Sequence, residues 1–449
     1  MAASDLFTPA LDQWHAVLAD RHDQPAIFGT AGEVLRSFSD IENEAKRFRR
    51  QLGGYKGTAV VRVGNTPALP ALLLACWQAG HAVCLIDRYV LTGIANEIAE
   101  SLGAGFQVAQ SAEEDLVFSL RNGPLIERSE ACLYKTTSGT TGSSRLLGFR
   151  ATSLIADCEN VCETMGIGPN DVNYGVIAFT HSYGFSNLVT PLIFRGVPLV
   201  CASDALPRAI HAGLCATQAS VLPLVPAMFR ALLTVEAIPP SVRLCISAGA
   251  VLDADVARDF HAKFGRKIHS FYGASECGGI CYDASEVPAE GVGFVGEALR
   301  GVRAEFEEGL LRVRSKALAL EFETPGFQPA DVLAQENRGF RIVGREADVI
   351  NVAGRKVHPS EIEAVALTCN GVVEAIACGK DDSLRGQDIA MVVVGSVSIA
   401  DLRAFCAARL PSWQVPRHFL LRGEIPRGSR GKVNRRELAA MFDNLPLFR

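Results

Sequence analysis

Glycines, hydroxyl groups and one guanidinium group occur together in residues 136–145, which read TTSGTTGSSR. Gly139 and Gly142 allow backbone conformations that bring amide N–H groups close to a bound group, and Arg145 adds a cation with forked donors. The hydroxyl donors are Ser138, Thr140, Thr141 and Ser143. This combination suits phosphate, although a polar surface turn explains the same residue types equally well. The spacing is not that of a Walker A loop.

A second candidate segment, FYGASE at residues 271–276, follows an expected strand. It places an aromatic ring, an open backbone and the Glu276 carboxylate at the carboxyl end of that strand, where ligands of α/β sheets bind. Mg²⁺ takes hard oxygen ligands of this kind and shares them with phosphate oxygens. Taken alone, Glu276 is better explained as a solvated surface carboxylate.

Three further segments contain chemically active side chains. His181 lies within FTHSYG, and Lys432 lies within PRGSRGKVNR. Between them, Asp331 precedes GFRIVGREADVINVAGRKVHPSEIE at residues 339–363. A lone histidine is more often structural than functional, and a lysine near glycines is usually solvated. No single segment identifies a function.

In their order along the chain, the five segments resemble motifs of the acyl-adenylate-forming superfamily, which includes acyl-CoA synthetases, luciferases and peptide-synthetase adenylation domains. The likeness covers about residues 25–440 and includes SAGAVL at residues 247–252, which is similar to the family's S-G-G-A-P-L. The sequence departs from the family at Ser144 and Arg145, where Pro and Lys are usual. It departs again at Ala347, because the hinge position is usually Asp or Lys.

The resemblance implies a role for each matching position. Lys432 would bridge the substrate carboxylate and the α-phosphate, His181 would act as a gate, and Glu276 with Thr140 would hold Mg²⁺. The thiol acceptor would pass Gly354. The acid pocket would be lined by His181, Phe185, Ser247, Gly278 and Gly279. The nucleotide would be bound by Thr137, Ser138, Gly139, Thr140, Thr141, Gly142, Arg145, Ala248, Gly249, Ala250, Tyr272, Gly273, Ser275, Asp331 and Arg345.

The implied reaction joins ATP and a carboxylic acid into an acyl-adenylate with release of pyrophosphate, and then transfers the acyl group to a thiol. CoA is the favoured thiol, and the phosphopantetheine of an acyl carrier protein is the alternative. Ser182 stands where amino-acid-activating relatives carry Asp. A buried ammonium without a partner is costly, so an α-amino acid is disfavoured. Small pocket residues leave space for an aryl or medium-chain acyl acid.

Two interpretations from other classes compete with this one. A non-catalytic nucleotide-binding relative is supported by Ser144, Arg145 and Ala347 and opposed by Lys432 and Glu276. An α/β NTPase of another family would need a Walker lysine, which the sequence lacks.

The elements that must position these residues alternate between short apolar runs and amphipathic segments, which is typical of an α/β fold. A strand at residues 57–63, a helix at 68–80 and a strand at 82–86 predict a parallel pair with a right-handed crossover. Further strands are predicted at 199–201, 221–224, 244–247 and 267–271, with helices at 209–218, 226–233 and 253–264. Antiparallel β structure is predicted at 305–313 and 341–343. The last hundred or so residues predict a small α+β domain.

These elements predict a large N-terminal domain of layered parallel sheets and helices with a β-rich end, over residues 1–345. A small mobile α+β C-terminal domain, residues 346–449, would carry Lys432 and rotate about a hinge at residues 345–348. A chain of 449 residues is long enough for more than one core.

Composition narrows the classes of partner. The net charge of −5 without a basic half argues against a nucleic-acid footprint. Thirteen scattered cysteines and an N-terminus without a signal-peptide pattern predict a reduced, cytoplasmic protein. No apolar run approaches the ~18 residues of a spanning helix, so stable membrane insertion is not expected. A homodimer is left open.

Overall fold

The chain divides into two compact units. The computed structural model describes residues 6–111, 113–121, 130–137, 145–288, 291–307, 310–345, 348–352, 355–382, 386–427 and 433–442, and for Thr137, Arg345 and Lys356 the backbone alone. The first unit runs to Gln328 and includes Asn337–Phe340, and the second comprises Pro329–Glu336 and the chain from Arg341 onwards. The predicted domain boundary at residue 345 and the hinge at residues 345–348 stay predictions.

The first unit alternates helices with strands. Its α-helices are α1 (Thr8–Arg21), α2 (Phe38–Gln51), α3 (Leu69–Gln78), α4 (Thr92–Ser101), α5 (Ala151–Met165), α6 (Ser182–Gly184), α7 (Thr190–Arg195), α8 (Pro207–Thr217), α9 (Pro226–Leu232) and α10 (Ala254–Phe264). Short turns of other helix types are the 3₁₀ turns Leu52–Gly54 and Leu320–Phe322 and the π turn Phe185–Val189. Its strands are β1 (Pro25–Phe28), β2 (Val34–Ser37), β3 (Ala59–Val63), β4 (Val83–Asp87), β5 (Phe106–Gln110), β6 (Leu116–Leu120), β7 (Leu133–Thr137), β8 (Arg145–Phe149), β9 (Asn173–Gly175), β10 (Leu199–Cys201), β11 (Val221–Leu224), β12 (Leu244–Ser247), β13 (Ile268–Ala274), β14 (Gly278–Tyr282), β15 (Phe294–Ala298), β16 (Val302–Glu307) and β17 (Leu310–Ser315).

Two sheets form the framework of the first unit. In the larger sheet the strands run in the order β15-β14-β13-β12-β11-β9-β10-β1-β2, and the strands from β13 to β1 are parallel neighbours. In the smaller sheet the order is β6-β5-β3-β4-β7-β8, with parallel pairs from β5 to β7 and antiparallel edges. Parallel strands need crossover connections, which α3, α8, α9 and α10 supply.

Helix α3 connects β3 to β4 in the smaller sheet and is buried on every side. Every residue from Leu69 to Trp77 is buried, and a helix without a polar face must be covered on all sides. Its neighbours β3 and β4 pair in parallel, with Ala59 opposite Val83. The predicted strand–helix–strand unit is therefore confirmed.

Most other predicted elements of this unit are confirmed with small shifts. β10, β11 and β12 have the predicted bounds, and the helices differ from prediction by one or two residues at their ends. β13 extends beyond the predicted end at Phe271 to Ala274, because it gains β14 as an antiparallel partner. β16 and β17 form the predicted antiparallel pair, with Glu307 opposite Leu310.

The second unit is a small α+β structure, as predicted. Its helices are α11 (Pro359–Leu367), α12 (Ile399–Ala407) and α13 (Arg435–Ala440). Its strands are β18 (Asp331–Glu336), β19 (Gly339–Arg345, of which the last five residues belong here), β20 (Ile350–Val352), β21 (Arg355–Val357), β22 (Val372–Asp382), β23 (Gly386–Gly395) and β24 (His418–Arg422). One sheet runs in the order β21-β20-β23-β22, with β24 also paired to β23, and the helices cover a core that includes Ile362, Met391 and Leu402.

Among the described residues, every helix is too short or too polar to cross a membrane.

Candidate active site

Three of the predicted ligand-binding segments of the first unit meet at one edge of the larger sheet. β9, β11, β12 and β13 are parallel, with Val221 opposite both Asn173 and Leu244, so their carboxyl ends lie at the same edge. The chain continues from these ends into His181 after β9, Ala248 after β12 and Ser275 after β13. The fold thereby brings three separate sequence motifs to one place.

Asn65, which sequence analysis did not single out, holds the chain that leads to His181. Its Oδ1 accepts a hydrogen bond from the Phe179 amide at 2.9 Å. Its Nδ2 lies within hydrogen-bond distance of three carbonyl oxygens, those of Gly175 at 3.2 Å, Ile177 at 3.2 Å and Ala202 at 2.8 Å. Asn65 follows β3, so one side chain of the smaller sheet fixes the ends of β9 and β10 in the larger sheet. An asparagine after a strand is ordinary for a turn, which is why its role could not be found from the sequence.

His181 caps the short helix α6. Its Nδ1 accepts a hydrogen bond from the Tyr183 amide at 3.3 Å, while the residue as a whole is exposed. An accepting Nδ1 carries no proton, so the neutral ring holds its proton on Nε2. The predicted gating role of His181 stays a prediction.

The residues after His181 tie this segment to the neighbouring strand ends. The hydroxyl groups of Ser182 and Ser275 are hydrogen-bonded at 3.0 Å. The buried Tyr183 hydroxyl donates to the Ile246 carbonyl of β12 at 2.9 Å. Burial raises the pKa of Tyr183 well above its ordinary value, so this hydroxyl stays a donor. The histidine segment and the FYGASE segment are thus linked by a direct side-chain contact.

We expect Ser182→Ala to raise the KM for ATP about fivefold, since a hydrogen bond that orients Ser275 contributes on the order of 1 kcal/mol. The check is the KM for ATP in pyrophosphate release. Ser241→Ala is a suitable control, because Ser241 precedes the amino end of β12, away from the site edge. An unchanged KM in Ser182→Ala would show that the bond does not orient Ser275.

The FYGASE and SAGAVL segments present both buried and accessible groups. Tyr272 is buried in β13, Gly273 is exposed after a β-bulge, and Glu276 is half-buried. Gly249 is exposed with φ +84°, a conformation that favours glycine. Ala248 is buried and Ala250 exposed. The Ser247 hydroxyl is buried without a hydrogen-bond partner within the described part of the chain.

Two glycines predicted for the acid pocket are packed against protein side chains. A Cβ at Gly278, where φ is +69°, would lie 2.0 Å from Oδ1 of Asp157. A Cβ at Gly279 would lie 2.8 Å from Leu299 and 2.9 Å from Phe271. The prediction that small residues leave open space is therefore wrong at these two positions, because distant parts of the chain fill it. Their role in the pocket, with that of buried Phe185, stays a prediction.

The glycine and hydroxyl loop lies between β7 and β8 in the sequence. β7 and β8 pair antiparallel, with Thr137 opposite Arg145. The loop residues Ser138, Gly139, Thr140, Thr141 and Gly142 lie outside the described residues, as does the side chain of Thr137.

Arg145, the cation predicted for this loop, rests on an aromatic ring. Its guanidinium carbon lies 5.1 Å from the centre of the Phe322 ring. The neighbouring Glu321 accepts a hydrogen bond from the Gly148 amide at 3.2 Å. Just upstream, the Ala319 amide donates to the Glu276 carbonyl at 2.8 Å. The turn around Leu320–Phe322 therefore connects β8, the strand that follows the loop, to the backbone of Glu276.

We expect Phe322→Leu to raise the KM for ATP about two- to fivefold with little change in kcat, because an exposed cation–π contact contributes about 0.5–1 kcal/mol. Steady-state pyrophosphate release at varied ATP measures this, and Phe322→Tyr should restore the parent value. In an Arg145→Gln background the Phe322 change should have no further effect. An equal rise in that background would contradict a role through Arg145.

The remaining predicted residues belong to the second unit or lie outside the description. Asp331 begins β18 and is half-buried, and Arg345 ends β19 with its side chain outside the described residues. Gly354 and Lys432 also lie outside the described residues.

Arg435, the last residue of the PRGSRGKVNR segment, is an anchor within the second unit. It is hydrogen-bonded to Glu363 of α11 and to the Ala377 carbonyl of β22, and its Nε lies 3.3 Å from Oδ2 of Asp348. Burial would lower the pKa of Arg435, but the charges of Glu363 and Asp348 outweigh it and raise the pKa above its ordinary value. The guanidinium group is therefore fixed in its charged form beside two carboxylates.

Comparison with known proteins identifies the family. The sequence model of AMP-binding enzymes matches residues 14–309, and that of the AMP-binding enzyme C-terminal domain matches residues 361–432. The chain belongs to the AMP-binding enzyme family, and the resemblance to the acyl-adenylate-forming superfamily is confirmed.

Individual proteins resemble the chain over different lengths. An uncharacterised acyl-CoA ligase of Bacillus subtilis is 27% identical to this chain over 54% of the chain's residues. The chain spans about half (54%) of the length of that relative. A 2-succinylbenzoate–CoA ligase of Bacillus pumilus is 25% identical over 90% of this chain and 92% of its own length. The crystal structure of ATP-bound MatB from Rhodopseudomonas palustris has a TM-score of 0.82 at 22% identity, covering 98% of this chain and 99% of that one. Because the sequence identity is this low, the match to the MatB structure supports the fold alone.

Proposed function

We propose that the chain is an AMP-forming acid–thiol ligase, which activates a carboxylic acid with ATP and transfers the acyl group to a thiol. The observation that carries the proposal is the contact between two motifs at the sheet edge, the 3.0 Å bond between Ser182 and Ser275. In the family resemblance, one of these motifs faces the acid and the other the α-phosphate. Membership of the AMP-binding enzyme family supports the same activity.

The described residues at this edge of the sheet are compatible with a bound nucleotide. The sheet edge combines an exposed glycine turn at Gly249 with an exposed backbone at Gly273. The cation of Arg145, in β8 of the smaller sheet, belongs to the segment that is predicted to bind phosphate. The Ser247 hydroxyl, buried and unpartnered among the described residues, is the kind of group that a ligand satisfies. An edge of this kind can bind the base, sugar and phosphates of ATP.

Magnesium is compatible with the donor set. Glu276 offers a carboxylate of the type that Mg²⁺ prefers, and Thr140 would be a second oxygen donor. Within the described residues no cluster of three or more His, Cys, Asp or Glu side chains is arranged for a metal. A Mg²⁺ ion held by Glu276 would therefore share ligands with phosphate and water, and it would supply charge neutralisation for pyrophosphate departure.

The first half-reaction proposed is attack of the acid carboxylate on the α-phosphorus, with cleavage of the bond to the bridging oxygen of the leaving pyrophosphate. Lys432 offsets the repulsion between the two anions and the charge that develops on phosphorus. Ser275, oriented by Ser182, and Arg145, supported by Phe322, position the phosphates. Neutral His181, with its proton on Nε2, separates the acid from the nucleotide.

In the second half-reaction the thiol sulfur attacks the acyl carbon and AMP leaves. We propose that the C-terminal domain rotates about residues 345–348 between the two steps, so that Lys432 withdraws and the face around Gly354 admits the thiol. CoA is the favoured acceptor, in keeping with the CoA ligases among the relatives. The free thiols of the described cysteines fit a cytoplasmic enzyme.

The test is pyrophosphate release from ATP with Mg²⁺ across aryl, fatty and amino acids, each with and without CoA. Release with one acid class and a CoA thioester in mass spectrometry is the expected result. Release of pyrophosphate without formation of a CoA thioester would indicate that a carrier protein, and not CoA, is the thiol acceptor. No release with any acid, despite binding of a non-hydrolysable adenylate mimic, would contradict the proposed catalysis.

A further inference from the structure

One cation of the first unit is almost completely buried and has no carboxylate or hydrogen-bond partner among the described residues. Lys135, in β7, is 5% exposed. Its Nζ lies 4.7 Å from the centre of the Phe149 ring and 5.5 Å from that of Phe185. Over the described stretches of chain, its ammonium group makes no hydrogen bond and no ion pair. Aromatic faces offset only part of the penalty for taking an ammonium out of water.

Asp157, the carboxylate whose charge acts on Lys135, is hydrogen-bonded to other groups. Asp157 of α5 is buried, its Oδ2 accepts from the Ser186 hydroxyl at 2.5 Å, and its Oδ1 accepts from the Gly279 amide at 3.0 Å. Burial lowers the pKa of Lys135, and the charge of Asp157 acts in the opposite direction. The charge of Asp157 thus acts on Lys135 from a distance, and no described residue accepts a hydrogen bond from the ammonium group.

This pair lies among residues predicted for the acid pocket. Phe185, whose ring faces Lys135, is one of them. Gly278 and Gly279 are two more, and both adjoin the Asp157 carboxylate. Lys135 also stands in the strand that leads directly into the phosphate loop. The buried ammonium therefore lies close to residues that are predicted to line the acid pocket.

We propose that Lys135 determines acid specificity by donating a hydrogen bond to an oxygen atom at the end of the acid remote from the reacting carboxylate. The inference rests on the proposed function and specifies its substrate class. Preferred acids would carry a hydroxyl, carbonyl or second carboxylate group, with Phe149 and Phe185 against their apolar part.

The physical reason is that an acid with a purely hydrocarbon end would leave the buried ammonium without a partner. Sites built around a buried polar group discriminate strongly against analogues that lack the matching group. An ammonium group has donors only, so a neutral oxygen acceptor and an anionic one can both pair with it. Oxygenated aryl and medium-chain acids thereby replace unsubstituted ones as the favoured substrates.

The wild-type protein tests this directly with matched acids. Pyrophosphate release is compared between benzoate and 4-hydroxybenzoate or 3-hydroxybenzoate, and between hexanoate and 6-hydroxyhexanoate or hexanedioate. We expect kcat/KM to favour an oxygenated member by at least about tenfold. Equal use of both members, or preference for the hydrocarbon member, would overturn the inference while leaving the proposed ligase activity intact. No release with any acid would instead overturn the proposed function, and this inference with it.

A pair of variants separates specificity from general packing. Lys135→Met keeps a long side chain and removes the ammonium, so kcat/KM should fall about ten- to a hundredfold for the oxygenated acid and stay level or rise for the hydrocarbon acid. Lys263→Met is the matched control, since exposed Lys263 also lies over a phenylalanine ring, 5.4 Å from the centre of Phe264. The Lys263→Met control should leave kcat/KM unchanged for both acids. Equal losses for both acids in Lys135→Met would show a structural role and contradict the inference. If that variant fails to fold, the wild-type comparison alone decides.

Discussion

Replacing Lys432 with alanine is expected to lower acyl-adenylate formation by at least about a hundredfold, while a preformed acyl-adenylate is still converted into thioester. Loss of one fixed charge that stabilises a developing anion typically lowers a rate by ~10²–10³-fold. The first half-reaction brings two anions together and needs that charge. The second half-reaction releases AMP from a mixed anhydride and does not.

The two half-reactions must be measured separately. Pyrophosphate release from ATP and acid reports the first, and thioester formation from synthetic acyl-adenylate and CoA reports the second. Arg436→Ala is the matched control, because Arg436 is an exposed cation close to Lys432 in the sequence. Similar losses in both half-reactions of Lys432→Ala would contradict the division of labour, and so would a similar loss in the control.

The framework of the site could be predicted because its strands are continuous apolar runs bounded by turn residues. β10, β11 and β12 were predictable for this reason, and each of them is buried almost completely. Once those strands are parallel, motifs that follow them must share an edge. The meeting of Ser182 and Ser275 is a direct consequence of strand order.

The lining of the site could not be predicted in the same way, because it depends on contacts between residues far apart in sequence. The buried state of Lys135 is set by Phe149 and Phe185, and the space at Gly278 is set by Asp157 of α5. A lysine in a strand ordinarily points to solvent. No local pattern distinguishes a lysine whose ammonium lies near one ring of the neighbouring strand β8 and one ring of a π turn.

Asp157 also illustrates why small residues are poor predictors of open space. Gly278 adopts φ +69° and admits the Asp157 carboxylate where a side chain would otherwise stand. The glycine therefore marks the close approach of another element. The inference that oxygenated acids are preferred depends on this tertiary arrangement and goes beyond what the motifs alone imply.

Replacing Arg435 with methionine is expected to destabilise the second unit by about 3 kcal/mol. Arg435 begins α13 and is bonded to Glu363 of α11 and to Asp348 in the region of the predicted hinge. Glu363, with only 13% of its side chain exposed, would lose its cation and remain as an uncompensated carboxylate. Removing one partner of a buried ion pair costs more than the pair itself contributes.

Denaturant unfolding, with hydrogen exchange of α11 and α13 as a local probe, measures the effect. Arg409→Met is the matched control, because the exposed Arg409 lies over the Phe405 ring on the surface of the same unit. Glu363→Gln combined with Arg435→Met should recover part of the loss, since the unpaired charge is then gone. Adenylate formation should fall as the rate of local hydrogen exchange rises, because Arg435 anchors the segment that carries Lys432, three residues away. A loss below about 1 kcal/mol would mean that water compensates Glu363 and that the anchor lies elsewhere.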